Sequence, residues 1–294
     1  MRWENGEQGG NIEDRRGLRP RMPKGGGGVG LGAIAIVLIG YFVFGIDPAT
    51  LMNAVQEDNG GYTQNLDQQQ TGQQGSPSDV SGKFVDVILT STTQVWTALL
   101  RNSPQPYRRP QPLVLYTQAT GTACGTGQSA MGPFYCPGDE RIYLDLDFFN
   151  ELSTRFGAPG DFAKAYVIAH EVGHHVQKVL GTAAKVQSLQ KNASSRAEAN
   201  RYSVALELQA DCYAGVWAAR AEAASQGAIG IDRRDLEDGL RAANAIGDDV
   251  LQKRAQGRIV PDSFTHGSSA QRVEWLRRGF DTSDPAQCNT FASL

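Results

Sequence analysis

The chain has 294 residues, 40% of them hydrophobic, and a formal net charge of -3. It is long enough to bury a substantial core as one large domain or two small ones. The near-neutral, slightly acidic balance gives no sign of the basic face that a phosphate backbone normally demands, so nucleic acid is not expected as a partner.

The N-terminal part carries Arg2, Arg15, Arg16, Arg19, Arg21 and Lys24, and the run 25–46 that follows has no charged residue. About 20 apolar residues cross the ~30 Å hydrocarbon core as a helix, so this run is expected to be a single transmembrane helix. No Lys or Arg occurs from Gly25 to Gly82. The positive-inside rule therefore places 1–24 in the cytoplasm as a basic arm, with the rest of the chain beyond the inner membrane, in the periplasm or its equivalent. A cleaved signal peptide also begins with a basic region and an apolar run, but its apolar part is shorter and ends in an A-x-A site that this run lacks. A buried core helix would not explain the charge asymmetry of the flanks.

Residues 47–81 are rich in Gln, Gly, Asn and Ser (NLDQQQTGQQGSPSD). They hold too little apolar surface to offset ordering entropy and read as a flexible linker. Periodic hydrophobicity starts at Phe84, giving one domain over 82–294. All four cysteines, Cys124, Cys136, Cys212 and Cys288, fall in it. An even count outside the cytoplasm reads as disulfides. Three pairings are open, and the short Cys124 to Cys136 loop costs least to close, which would leave Cys212 for Cys288.

Within that domain PLVLYT, GPFYCP and RIYLDLDFF read as strands, the last two joined by a hairpin at Gly138-Asp139. In the third, Ile142, Leu144 and Leu146 alternate with Tyr143, Asp145 and Asp147, which suggests one buried face and one facing solvent. Next, Phe162, Ala165, Ala169, Val172, Val176 and Val179 recur at helical spacing, with Asp161 as a candidate N-cap. On that helix His170 and His174 lie one turn apart on one face, where two imidazoles can reach one metal ion. Glu171, turned about 100° away, is placed to act on a metal-bound water.

A catalytic zinc takes three protein ligands and keeps one position open. The extended motif with a third histidine requires Gly and His where this chain has Gln177 and Leu180, so the third ligand must come from elsewhere. His266 is one candidate. The stronger one lies in ALELQADCYAGVWAAR, where Glu207 and Asp211 share a face of an apolar helix and need a cation to offset their desolvation. Glu207 would bind zinc, and Asp211 would accept the free ring N–H of a ligating histidine. His175 cannot share the metal face and is expected to lie behind the site or at the surface. His266 follows the loop VPDSFT, ahead of a helix starting near Ser268 or Ser269. There it could donate to the oxyanion of a tetrahedral intermediate. Arg272, one turn on, could hold an acidic residue of the site.

H-E-V-G-H-H-V-Q followed by E-L-Q-A-D-C, with M-G-P-F-Y-C-P before and S-F-T-H-G-S-S-A-Q-R after, resembles the bacterial family of neutral zinc metallopeptidases. The similarity covers nearly the whole chain. It implies an α+β zincin-like domain, its small mixed sheet packed on the H-E-x-x-H helix, behind one N-terminal transmembrane helix. It also implies Zn2+ as cofactor, a glutamate third ligand, and a protein or peptide substrate received along an edge strand. The leading expectation is a membrane-anchored zinc endopeptidase with Glu171 as the base. The alternative is a non-catalytic envelope protein whose metal serves folding or partner binding, and such a site has no use for a base beside an open metal position. Oligomeric state is not legible.

Overall fold

In the computed structural model residues 1–18, 71–292 and 294 are described; the predicted membrane run 25–46 and linker residues 47–70 lie outside them. Among the described residues there are seven strands, β1 (Ile12–Asp14), β2 (Gln73–Gln74), β3 (Leu113–Tyr116), β4 (Ala119–Thr122), β5 (Gly125–Gln128), β6 (Phe134–Cys136) and β7 (Arg141–Asp145). Five of them form a mixed sheet in the order β2-β1-β3-β7-β6, and β4 and β5 pair only with each other. The described residues form eight α-helices: α1 (Val80–Leu99), α2 (Asp147–Thr154), α3 (Asp161–Val179), α4 (Thr182–Lys191), α5 (Arg196–Ala224), α6 (Arg233–Ala245), α7 (Asp248–Gln256) and α8 (Ser269–Thr282). The fold is α+β with a small mixed sheet, as expected.

The centre of the molecule is α3, which packs against α1, α5 and α6 and also meets β6. Its apolar positions fall three and four apart, so one broad stripe joins a core containing Trp96, Trp217 and Tyr166. Phe162 stacks on Trp217 at 6.3 Å between ring centroids. Gly173 permits the close crossing of α3 and α5: a Cβ there would lie 3.1 Å from the Ala210 backbone. Asp161 stands one residue inside the helix; Gly160 is the N-cap. Disulfides join Cys124 to Cys136 and Cys212 to Cys288, the second tying α5 to the chain end.

Three expectations change. Residues 1–18 are no separate arm. β1 lies between β2, antiparallel to it, and β3, parallel to it. Ile12 is fully buried, and Trp3 packs edge-on against Phe84 while its indole N–H donates to Asp161. Charge concealed the strand in the sequence. Glu13 is buried, but it accepts from Arg15 at 2.7 Å and from Arg141, so its desolvation is met within the protein.

The linker assignment ends too late. Gln73 and Gln74 form β2, and the Asp79 side chain caps α1 by accepting from Gly82 N–H.

The third correction concerns β7. It has neighbours on both sides in the sheet and is buried on both faces, so Tyr143 and Asp145 do not face solvent. Asp145 accepts from the backbone N–H groups of Gln118 and Asp147 and from the Ser129 hydroxyl. The chain then turns into α2 at Asp147 instead of continuing as strand.

Among the described residues no helix is long and apolar enough to cross a membrane.

Candidate metal centre

At the crossing of α3 and α5, His170, His174 and Glu207 each present a ligand atom, all within 4.8 Å of one another. The i, i+4 spacing sets the two rings on one face of α3, and Glu207 meets them from α5. His170 Nε2 is 3.2 Å from His174 Nε2 and 3.1 Å from Glu207 Oε2; His174 Nε2 is 3.4 Å from Glu207 Oε1.

The groups behind the rings decide where their protons sit. His170 Nδ1 lies 2.8 Å from the Asp211 carboxylate, which can only accept, so Nδ1 carries the hydrogen. His174 Nδ1 lies 2.9 Å from Gln177 Oε1. The Gln177 amide nitrogen is committed to Leu206 O and Gln209 Oε1, so its oxygen is the atom that accepts from His174. In the neutral rings each Nε2 is therefore the atom left to offer a lone pair, and both point at each other and at a carboxylate. Three such acceptors repel unless positive charge, a proton or a metal ion, sits among them, and two imidazoles with one carboxylate form a donor set that suits zinc. The residues present fit the metal.

The protonation preferences state the same demand. Burial works against charge on His170, yet Asp211 and Glu207 outweigh it and lift the ring to about 10. Burial alone would raise Glu207, but His174, His266 and His170 hold it well below the usual carboxylate range. Asp211 likewise overcomes burial through Arg272 and His170, at about 2. Glu171 is pushed up by burial, opposed in part by the two histidines and by the Tyr135 backbone N–H, which donates to it from β6.

Behind Asp211 a second layer closes. Arg272 on α8 donates to both Asp211 oxygens at 2.9 Å, and the Tyr166 hydroxyl donates to Oδ1 at 2.5 Å. The expected acidic partner of Arg272 is thus Asp211. Tyr166 and Gln177 did not stand out as site residues in the sequence, although Tyr166 precedes His170 by four residues and Gln177 follows His174 by three, both helical-face spacings.

His175 is buried, away from the metal face and from the surface. Its Nε2–H donates to Arg108 O at 2.8 Å, and Nδ1 accepts from the Tyr135 hydroxyl at 3.0 Å, tying β6 to α3. His266 is outside the ligand triplet but close enough to Glu207 that each shifts the other's protonation. Asp248 holds its loop by accepting from the backbone N–H groups of Thr265, His266 and Gly267, and lies 3.4 Å from His266 Nδ1. Ser268 caps α8 as the sequence suggested.

A mixed α+β domain with two histidines of an H-E-x-x-H helix and a glutamate of a second helix at one point defines the class of metallopeptidase-like zinc domains. The chain belongs to the family described as "Putative neutral zinc metallopeptidase", which it matches over residues 1–291. It is 48% identical to the uncharacterised protein YpfJ of Escherichia coli (strain K12) over 301 residues, covering 99% of both chains. It is 43% identical over 210 residues to the uncharacterised Mycobacterium tuberculosis protein Rv2575 (strain H37Rv), covering 69% of this chain and 68% of that one. No solved structure matches it.

Proposed function

We propose that the chain is a zinc-dependent endopeptidase of the cell envelope, with His170, His174 and Glu207 as metal ligands and Glu171 as general base. The observation that carries this reading is the convergence of three lone-pair donors beside a buried carboxylate on the same helix. Zinc, when bound, would polarise a carbonyl and lower the pKa of water. Glu171, with its proton affinity raised by burial, takes the proton from the attacking water and returns it to the leaving amine. His266, oriented by Asp248, donates a hydrogen bond to the developing oxyanion. β6 is an edge strand of the sheet and touches α3, so the sheet edge beside the metal helix is where an extended peptide would dock. The two disulfides support an oxidising compartment outside the cytoplasm.

Zinc content and cleavage of a peptide library, measured together, test the assignment. Glu171→Gln is expected to keep zinc and lose activity by a factor on the order of a hundred or more. His170→Ala, His174→Ala and Glu207→Ala are expected to lose zinc and activity together. Full activity in Glu171→Gln, or full zinc in Glu207→Ala, would overturn this assignment of base and ligand.

A further inference from the structure

We infer that the chain segment at Cys288 belongs to the metal centre: through the side chains of Gln209 and Gln177 it fixes the His174 ring with its hydrogen on Nδ1, so that zinc affinity depends on how this segment is clamped to α5. The inference rests on His174 being a ligand, as proposed above. The connection is continuous and buried. The Cys288 carbonyl accepts from Gln209 Nε2 at 3.0 Å, Gln209 Oε1 accepts from Gln177 Nε2 at 3.1 Å, and Gln177 Oε1 lies 2.9 Å from His174 Nδ1. Both glutamines are buried.

A backbone carbonyl can only accept, and this gives every bond in the row its direction. Gln209 must turn its NH2 group to Cys288 and its oxygen to Gln177. The Gln177 NH2 group then meets two acceptors, Gln209 Oε1 and, at 2.7 Å, Leu206 O, and its oxygen is left for the His174 Nδ1–H. With Gln209 reversed, two NH2 groups would face each other, and Gln177 would have to turn its own away, toward His174 Nδ1. The ring hydrogen would then move to Nε2, the atom that faces His170 and Glu207.

The far end of the row is held at several points. Gln209 and Cys212 share a face of α5 at helical spacing, and Cys288 engages both, one by its carbonyl and the other by its sulfur. Further along the chain, the Thr290 hydroxyl donates to Ala205 O at 2.6 Å, a turn before Gln209 on the same helix. Segment 288–290 is thereby laid along α5, with the accepting carbonyl over Gln209. His170 takes its support elsewhere, from Asp211 and Arg272. The two rings are therefore held by separate networks, and each is a control for the other.

The test uses the full chain labelled with 15N-histidine and has two readouts. One is the NMR signal of the His174 Nδ1–H in the zinc-free protein, which the row requires whether or not Nε2 is also protonated. The other is zinc affinity against a competing chelator. Gln209→Glu keeps the acceptor that faces Gln177, whereas Gln209→Met fills the same space and removes one of the two acceptors of the Gln177 NH2 group. Gln209→Glu is expected to keep both readouts close to those of the parent. Gln209→Met is expected to weaken the His174 signal and to lower zinc affinity by about three- to tenfold, less than the loss of a ligand's direct partner. The His170 Nδ1–H signal should persist in both. A role in packing alone predicts the reverse order, since a buried position tolerates Met better than a carboxylate, and that order would overturn the inference. The double variant Cys212→Ala, Cys288→Ala is expected to follow Gln209→Met, and parental readouts in it would overturn the part given to the segment. Should it fail to fold, Thr290→Val loosens the same segment with the disulfide kept, and the same two outcomes decide. A parent that binds no zinc would overturn the ligand assignment and the effect on affinity with it, while the His174 signal would still decide the row.

Discussion

The buried charge where α3 crosses α5 and the buried charge around β1 are balanced differently. Around β1, Glu13 meets Arg15 at 2.7 Å, Arg141 and the Gly72 N–H, and every partner comes from the chain. At the helix crossing Asp211 is matched just as completely by Arg272, Tyr166 and His170. One layer further out, Glu207 and the two Nε2 atoms converge on one point, a donor set that suits a metal ion. A buried carboxylate whose partners all belong to the chain serves folding. A carboxylate converging with two imidazole nitrogens on one point suits a ligand from outside the chain.

The sharpest way to break the comparison is to remove one charged member from each matched cluster. Arg272→Met leaves Asp211 buried with only Tyr166 and His170, a change that costs about 3–5 kcal/mol when a buried pair loses one member. It should also loosen zinc by ten- to a hundredfold, because Asp211 would no longer be fixed where it orients the His170 ring. Glu13→Gln should cost less, about 1–3 kcal/mol, since one donor set loses a charged acceptor near the sheet edge. Equilibrium unfolding with zinc determination measures both. If Glu13→Gln lowered zinc affinity as Arg272→Met does, the two clusters would not be separate devices.

Chelation should sharpen the same contrast with a smaller effect. A metal that binds only the native state stabilises it by about 2.7 kcal/mol when present at a hundredfold its dissociation constant. Stripping zinc should therefore lower Tm in the parent and in Glu13→Gln alike, and zinc should restore it. His174→Ala should be insensitive to both additions. A parent whose Tm ignores the chelator would mean that the convergent lone pairs are satisfied without a metal.

The two clusters also differ in how far the sequence reveals them. His170, Glu171 and His174 were legible because a helix turns spacing directly into geometry, and Glu207 with Asp211 repeats the same four-residue step. The strands PLVLYT and GPFYCP were legible from composition and turns. β1 was not, because a three-residue strand with two acidic positions carries no periodicity, and its partner β3 lies about a hundred residues away in the chain. Asp145 was misplaced for a related reason. Alternation predicts one wet face only where a sheet has one, and β7 is covered on both. Gln177 was visible only as a departure from a three-histidine motif, although it is the residue that sets the His174 tautomer.

The smallest expected effect is the most local, and it tests whether the β1 cluster holds the N-terminal segment by charge. Asp79 is pulled down to about 2, first by its hydrogen bond to Arg16, and Glu13 also lies below its usual range because Arg15, the Gly72 N–H and Arg141 together outweigh its burial. Both carboxyls bind protons less readily folded than unfolded. Their contribution is therefore complete above the unfolded values near 4 and is lost as pH falls from there toward 2. Asp79 is half-exposed, so solvent screens much of its share and no large change in global stability is expected. The readout should be local: amide exchange of residues 1–18 compared with that of α3 between pH 6 and pH 3. Protection of the N-terminal segment should fall before that of α3, and Arg16→Gln should move its loss to higher pH, because Asp79 then titrates nearer its unfolded value. Equal protection of both regions down to pH 3, or an Arg16→Gln profile that superimposes on the parent, would show that the segment is held by Ile12, Trp3 and the strand ladder and not by its ion pairs.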